Sequence, residues 1–431
     1  MREMKDSRIP WLGKYPATWS LKKIKYCLQE RIEKNNPVRT TDILSLTAKQ
    51  GVIPYDQKEG GGNKPKEDVS AYRLAYPGDI VMNSMNILSG SVGLSQYFGC
   101  VSPVYYMLRP LDAKEDVRYY NYIFQTTVFQ RSLYGLGNGI LIKESGNGKL
   151  NTIRMRIPMD KFGGLFIPVA SKSEQKIIAD YLDKICAEID ALAADIQAQI
   201  DTMEQYKRSV VFSAVSHGTA PSRMKKTESD VWTTIPSNWE LADIKYLFEI
   251  VKRIAGKEGY DILSVTQKGL KVKDISSNEG QIASDYSGYQ FVYPTDFVMN
   301  HMDLLTGWVD CSTQFGVTSP DYRVFRLYDK EQNNLHYYKY VMQCCYMCRI
   351  FYSLGQGVSQ LGRWRLQTSV FNNFKVPVPP TDKQKEIAEY LDNKCAEIDA
   401  IIDQKNEQLS ALDAYKKSLI YEYITGKKEV K

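Results

Sequence analysis

Two sets of amide, guanidinium and ammonium side chains stand at matching places in the two halves of this 431-residue chain. Asn83 and Asn86 close or follow the run YPGDIVMN that begins at Tyr76, and Asn300 with His301 does so for the related YPTDFVMN from Tyr293. Further along, Lys143, Asn147 and Lys149 lie in a Gly-rich stretch that begins at Leu136. Gln356, Ser359 and Gln360 lie in its counterpart from Leu354. Amides and guanidiniums can make two hydrogen bonds to one base edge, which is how sequence is read in the major groove. Arg154 with Arg363, and Arg156 with Arg365, match at a shift of 209 residues. They suit phosphates, which fix register without carrying sequence. Singly, each of these positions reads better as a solvated loop residue; their recurrence as clusters on basic domains points to a nucleic acid.

No catalytic set accompanies them. His217, His301 and His336 are far apart in sequence, and none has metal-ligand spacing to a cysteine or carboxylate cluster. Cys345 and Cys348 form one CxxC without the second pair that four ligands need, and with Cys344 they sit in a Tyr/Met-rich helical patch, so a reduced core is expected. The stretch Tyr134 to Gly139 (YGLGNG) is similar to a nucleotide or adenosylmethionine loop, but no convincing strand precedes it and no acidic partner follows. After Asn147-Gly-Lys149, Leu150 stands where a phosphate-binding loop needs Ser or Thr. Pro320-Asp321 has no Glu-x-Lys partner at nuclease spacing. The chain is expected to bind rather than catalyse, with no metal and no cofactor of its own.

Composition fits that expectation. With 43% hydrophobic and 25% charged residues, the chain has material for two or three cores. The start MREMKDSRIPW lacks the apolar run of a signal peptide and no stretch approaches a membrane span. Eight cysteines without a framework suit a reducing cytoplasm. Of the net charge of +6, most lies in residues 1–171, with 24 Lys+Arg against 15 Asp+Glu. Residues 223–380 are also net basic, whereas 172–222 and 381–431 are net acidic. A polyanion should therefore meet the globular parts.

The elements that must position these clusters repeat as well. Trp19 and Tyr26 match Trp239 and Tyr246, DILSLT from Asp42 matches DILSVT from Asp261, and Ser102-Pro103 matches Ser319-Pro320. These short β-branched and aromatic runs predict strands of an irregular sheet. Helical patches are expected around Tyr119–Leu133 and Tyr337–Tyr352. From Ser173, large apolar residues recur in alternating steps of four and three at Ile178, Leu182, Ile185, Ile189, Leu192, Ile196, Met203, Tyr206 and Val210, with Gln199 on the seam. This is a heptad seam on a helix roughly 60 Å long. A second seam follows at Ile387, Leu391, Ile398, Ile401 and Leu412, with Gln408 on it and Lys394 and Lys405 interrupting it, so that Ile402 and Leu409 must share the packing. The pattern predicts an α+β, pseudo-twofold protein: two repeat-related mixed domains, 1–171 and 223–380, separated by two long helices, 172–222 and 381–431. The helices would form an intramolecular antiparallel coiled coil, the other reading being a coiled coil between two chains.

The order domain, long helix, domain, long helix is joined to a helix-start signature, SEQKIIADYLD from Ser173 and DKQKEIAEYLD from Asp382. Together with the duplicated GD-strand, these features resemble the specificity subunit of type I restriction-modification enzymes over essentially the whole chain. One departure is Thr295, which replaces the glycine of the first Pro-Gly-Asp. The resemblance implies two target-recognition domains that read a bipartite site in double-stranded DNA, with a non-specific spacer set by the helices. It also implies two adenine-methylating modification subunits and further restriction subunits that translocate and cleave. Adenosylmethionine, ATP and magnesium would be bound by those partners. A DNA-binding scaffold or adaptor without modification partners is the other reading.

Overall fold

The computed structural model describes residues 2–47, 50–58, 65–85, 90–137, 142–144, 150–152, 156–274, 285–357 and 364–430, with backbone only for 142–144 and 150–152. The chain forms two compact units, Met1–Asp195 with Glu407–Lys431, and Ile196–Asn406. Each unit therefore takes one globular part and one end of each long helix. Among the described residues no helix is long and apolar enough to cross a membrane.

The first unit is built on a four-stranded antiparallel sheet in the spatial order Leu28–Glu30, Tyr105–Pro110, Ile80–Asn83, Val92–Leu94. The second repeats that order with Phe248–Val251, Arg323–Leu327, Phe297–Met299 and Val309–Cys311. Registers match too: Met82 faces Tyr106 and Met299 faces Arg323, so Tyr106 and Arg323 hold the same position in the two copies. One side chain set of each sheet packs on a helix, Val117–Gln125 or Leu335–Met347, in a core dominated by aromatic residues. Large aromatic side chains bury the most area per residue, which suits sheets of such short strands. The predicted helical patches thus fall on helices, and the run read as DILSLT supplies the strand Leu44–Thr47.

Each long helix is fastened where its signature begins. Gln175 is fully buried; its amide N–H donates to the Ala170 carbonyl (3.1 Å) and its oxygen accepts from the Asp116 N–H (3.0 Å). Gln384 repeats both bonds to Pro379 (3.0 Å) and Asn334 (2.7 Å). Glutamine carries a donor and an acceptor on one planar group, so it can join the strand before the long helix to the cap of the shorter helix, where a glutamate would lack the donor. A second tie comes from buried tyrosines: Tyr119 donates to the carbonyls of Pro168 and Ile424, and Tyr337 to those of Pro377 and Val215.

The helices Lys172–His217 and Thr381–Ile424 run antiparallel within each unit. In the first, Tyr181 meets Tyr423 and Asp190 meets Lys416 (2.7 Å). In the second, Lys405 donates to Gln199 and Lys207 pairs with Asp399 (2.6 Å). Asp190 matches Asp399, and Lys207 matches Lys416, at the 209-residue shift. These exposed pairs contribute at most about 1 kcal/mol each, so the apolar seam carries the packing. Ile178, Leu182, Ile189, Ile196, Ile387, Leu391 and Ile398 are buried, and Ile185 and Leu412 are partly so. Five seam positions differ from the sequence reading. Leu192 is 48% exposed and Ile401 39%, and Gln199 and Gln408 are also exposed. Tyr206 likewise points outward, 48% exposed. The cause is a phase shift of one residue. Ile178, Leu182 and Cys186 take two steps of four where the helix rests on the globular core. The heptad alternation resumes from there through Ile189, Ala193, Ile196, Ile200 and Met203. Straight-helix geometry at 3.6 residues per turn drifts against a 3.5 repeat, which accounts for the slip. Gln199 and Gln408 are therefore not buried register markers, and Ile402 and Leu409 are partly buried in the second helix as its sequence required.

The turn that enters each central strand is the same despite the Gly-to-Thr difference. Gly78 has φ 87° and Thr295 φ 75°. Each donates its backbone N–H across the turn, to Ser95 (2.8 Å) and Ser312 (2.7 Å) respectively. A β-branched residue is strained in this left-handed region. The surroundings over-determine it: Lys330 donates to the Thr295 hydroxyl (2.6 Å), and buried Asp296 accepts from the Tyr293 N–H (2.8 Å) and pairs with Arg253.

Candidate nucleic-acid interface

The central strand of each sheet, Ile80–Asn83 or Phe297–Met299, delivers an asparagine to the loop that follows. The Asn83 oxygen accepts from the Met85 N–H (3.0 Å), and the Asn300 oxygen from the Met302 N–H (3.3 Å). Each asparagine thus folds its own turn, as its affinity for such local bonds leads one to expect. The side-chain N–H2 then remains as the donor for a partner; among the described residues nothing pairs with it.

A second segment is laid against each loop by main-chain bonds. Ile157 donates its N–H to Ser84 (3.1 Å), and Leu366 donates to His301 (2.9 Å). The residue before each is an arginine, Arg156 or Arg365, and both are exposed. In the second unit Arg365 also exchanges two backbone bonds with Gln356 (2.9 and 3.0 Å), which brings Asn300, His301, Gln356 and Arg365 into one neighbourhood. Trp364 seals that junction from below, its indole N–H donating to Tyr352 (2.6 Å). Gly355 is required there, since a Cβ would meet the Trp364 ring at 2.3 Å. In the first unit Arg156 joins Arg73, Glu30 and Tyr106 around a recess of about 380 Å³.

Of the sequence-predicted residues, Asn83 and Arg156 lie on bonded neighbouring segments in one unit, and Asn300, His301, Gln356 and Arg365 do so in the other. Lys143 lies on the strand Ile142–Glu144, opposite Asn151. Asn86, Asn147, Lys149, Arg154, Ser359, Gln360 and Arg363 lie outside the described residues. Residues that sequence reasoning passed over support the junction: Tyr106 donates its hydroxyl to the Ile157 carbonyl (3.0 Å), and Arg323 donates to the Leu366 carbonyl (3.1 Å). Their shared position in the repeat was the available signal, but each reads as an ordinary strand residue.

The electrostatics of the second junction are positive. His301 has its pKa pushed down to about 4, first by burial and then by Arg323 and Arg365, so its imidazole is neutral at physiological pH. Its Nδ1 is buried without a partner among the described residues. Burial also lowers Arg323 to about 10, which leaves it charged. The other histidines stand elsewhere, His217 beside Thr234 (3.2 Å) and His336 beside Asp392 (3.1 Å). Cys348 pairs with Cys344 (Sγ–Sγ 3.9 Å), and among the described residues no three His, Cys, Asp or Glu side chains are grouped to share a metal ion.

Residues 236–411 match the type I restriction modification DNA specificity domain. The chain is similar to the type I restriction enzyme MjaVIII specificity subunit of Methanocaldococcus jannaschii, 24% identical over 290 residues. That alignment spans 63% of this chain and 64% of the relative's length. Among solved structures, a chain from a study of complex assembly and conformational transition of the type I R-M system shares the fold, with a TM-score of 0.64 and 12% identity over 95% of this chain and 98% of that one. The HsdS subunit from Thermoanaerobacter tengcongensis aligns over 96% of this chain and 98% of its own, at 10% identity and a TM-score of 0.45. Residues 236–411 thus carry the likeness to a type I restriction modification DNA specificity domain, and 63% of the chain is similar to a specificity subunit.

Proposed function

We propose that this chain reads a bipartite sequence in double-stranded DNA, one half with each globular part, over a non-specific spacer whose length the helices set. The observation that carries the reading is the repeated junction. One main-chain bond pattern, Ile157 to Ser84 and Leu366 to His301, holds Asn83 and Arg156 in one copy and Asn300 and Arg365 in the other, with half-buried His301 where the first copy has buried Ser84. A shared scaffold with divergent tips suits two readers of unlike sequence. The amide N–H2 groups of Asn83 and Asn300, with neutral His301, suit base edges, while Arg156 and Arg365 suit phosphates.

In this reading the chain is non-catalytic and acts in the cytoplasm. It recruits two adenine-modifying methyltransferase subunits and, for cleavage, ATP-driven restriction subunits. Adenosylmethionine, ATP and magnesium are bound by those partners. The test is co-expression with a type I adenine methyltransferase of the same host, followed by mapping of methylated adenines. A bipartite motif with a fixed gap supports the proposal. A complex that assembles without new methylation, on a chain that still selects DNA, would favour the scaffold reading instead.

A further inference from the structure

Arg323 is 4% exposed at the start of the strand Arg323–Leu327, and among the described residues no carboxylate pairs with it. Burying an unpaired guanidinium is costly, and proteins keep such a group where the site needs it. Among the described residues its hydrogen-bond and ring contacts are to neutral groups. One nitrogen donates to the Leu366 carbonyl (3.1 Å) and the Thr368 hydroxyl (3.3 Å), another approaches the Met299 sulfur (3.9 Å), and the guanidinium lies 4.5 Å from the centre of the Phe371 ring. The first copy meets the same positional need without charge, since Tyr106 holds the equivalent carbonyl of Ile157 with a hydroxyl. The charged solution grips two oxygens on either side of Gln367, so it fixes the direction in which the chain leaves Arg365 as well as its height above the sheet.

We propose that Arg323 is a positioning residue for the second reading tip: by holding Leu366 and Thr368 it sets where Arg365 and His301 meet DNA, without touching DNA itself. The inference rests on the DNA-reading function proposed above. A guanidinium that is nine-tenths buried cannot release counterions from a phosphate, so its effect should appear in base preference and not in salt dependence.

The experiment is selection from a randomised duplex library with the full chain, comparing wild type with Arg323→Met and Arg323→Tyr, alongside salt titrations on the selected duplex. For Arg323→Met we expect base preference in the second half-site to fall by about tenfold, the first half-site to be unchanged, and the log–log salt slope to stay within a few tenths of wild type. Arg323→Tyr, which imports the first copy's solution, should restore preference to within about threefold. It also keeps the test open if the methionine variant does not fold. Unchanged preference in Arg323→Met would overturn the positioning role. So would a slope reduced by about one unit, which marks a direct phosphate contact. Loss of second-half preference in the folded tyrosine variant would also overturn it, because the charge and not the anchored carbonyl would then be what matters. Failure of the wild type to select any sequence would instead remove the DNA-reading function on which the inference stands.

Discussion

Leu366 donates its backbone N–H to the His301 carbonyl at 2.9 Å, which lays the segment carrying Arg365 against the loop carrying Asn300. The same bond joins Ile157 to Ser84 at 3.1 Å in the first unit. Because the junction is made by main-chain atoms, the side chains on it can differ between copies without loosening it. The buried group beneath differs, tyrosine in one copy and arginine in the other, and so does the loop residue after the asparagine, buried Ser84 against half-buried His301, while the backbone register is the same.

His301 gives that junction a pH signature. Its folded pKa of about 4 lies below the ordinary histidine value of 6.5, so the unfolded chain takes up the proton first. Stability from keeping it neutral is fully present above about pH 6.5 and is lost as pH falls toward 4. His301→Gln should remove this loss. Thermal unfolding of both proteins from pH 7.5 to 5 should show the wild-type midpoint dropping faster than the variant's. Parallel curves would show that the imidazole is not held neutral by burial and by Arg323 and Arg365.

Asn83 and Asn300 each use the side-chain oxygen for a turn and keep the N–H2 for a partner. Asn83→Asp and Asn300→Asp preserve the acceptor and remove the donor. Each should leave unfolding free energy within about 0.5 kcal/mol of wild type. Each should also reduce preference at one base of its own half-site by the equivalent of about 1–3 kcal/mol. A stability loss with unchanged preference would make these asparagines turn residues only.

Thr295 keeps a left-handed turn that glycine occupies in the other copy. Relief of the β-branched strain should outweigh the greater unfolded-state freedom of glycine and the lost contact with Lys330. Thr295→Gly is therefore expected to stabilise the second unit by about 1 kcal/mol in denaturant unfolding. A destabilisation of that size would show that the Lys330 bond matters more than the strain.

Gln175 and Gln384 tie the helix starts to the short helices, with both ends of each amide in use. Alanine at either position leaves a buried N–H and a buried carbonyl unpaired, so a loss of about 1–3 kcal/mol is expected from each. A loss below about 0.5 kcal/mol, read by the same unfolding measurement, would mean that water satisfies those groups.

These residues also show how far the sequence could be read. The duplication, the long helices and the GD-strands were legible because periodicity and matched spacing record backbone geometry directly. The signature glutamines could be seen to recur, but their bonding could not, since their partners, Asp116 and Asn334, lie 59 and 50 residues away. Leu192 and Ile401 misled because a heptad register is set by the whole packed helix, and the slip at Cys186 leaves no mark in residue type. Arg323 carries no mark in the sequence, because nothing local reports that Phe371 and Thr368 fold over it.

The central claim, one half-site per globular part, is tested most directly by replacing residues 1–171 with the corresponding domain of a relative and mapping methylated adenines in a host that supplies the modification subunits. The account predicts that one half of the recognised sequence changes while the other half and the gap stay as they were. An active chimera whose two halves change together, or whose sequence does not change at all, would contradict it.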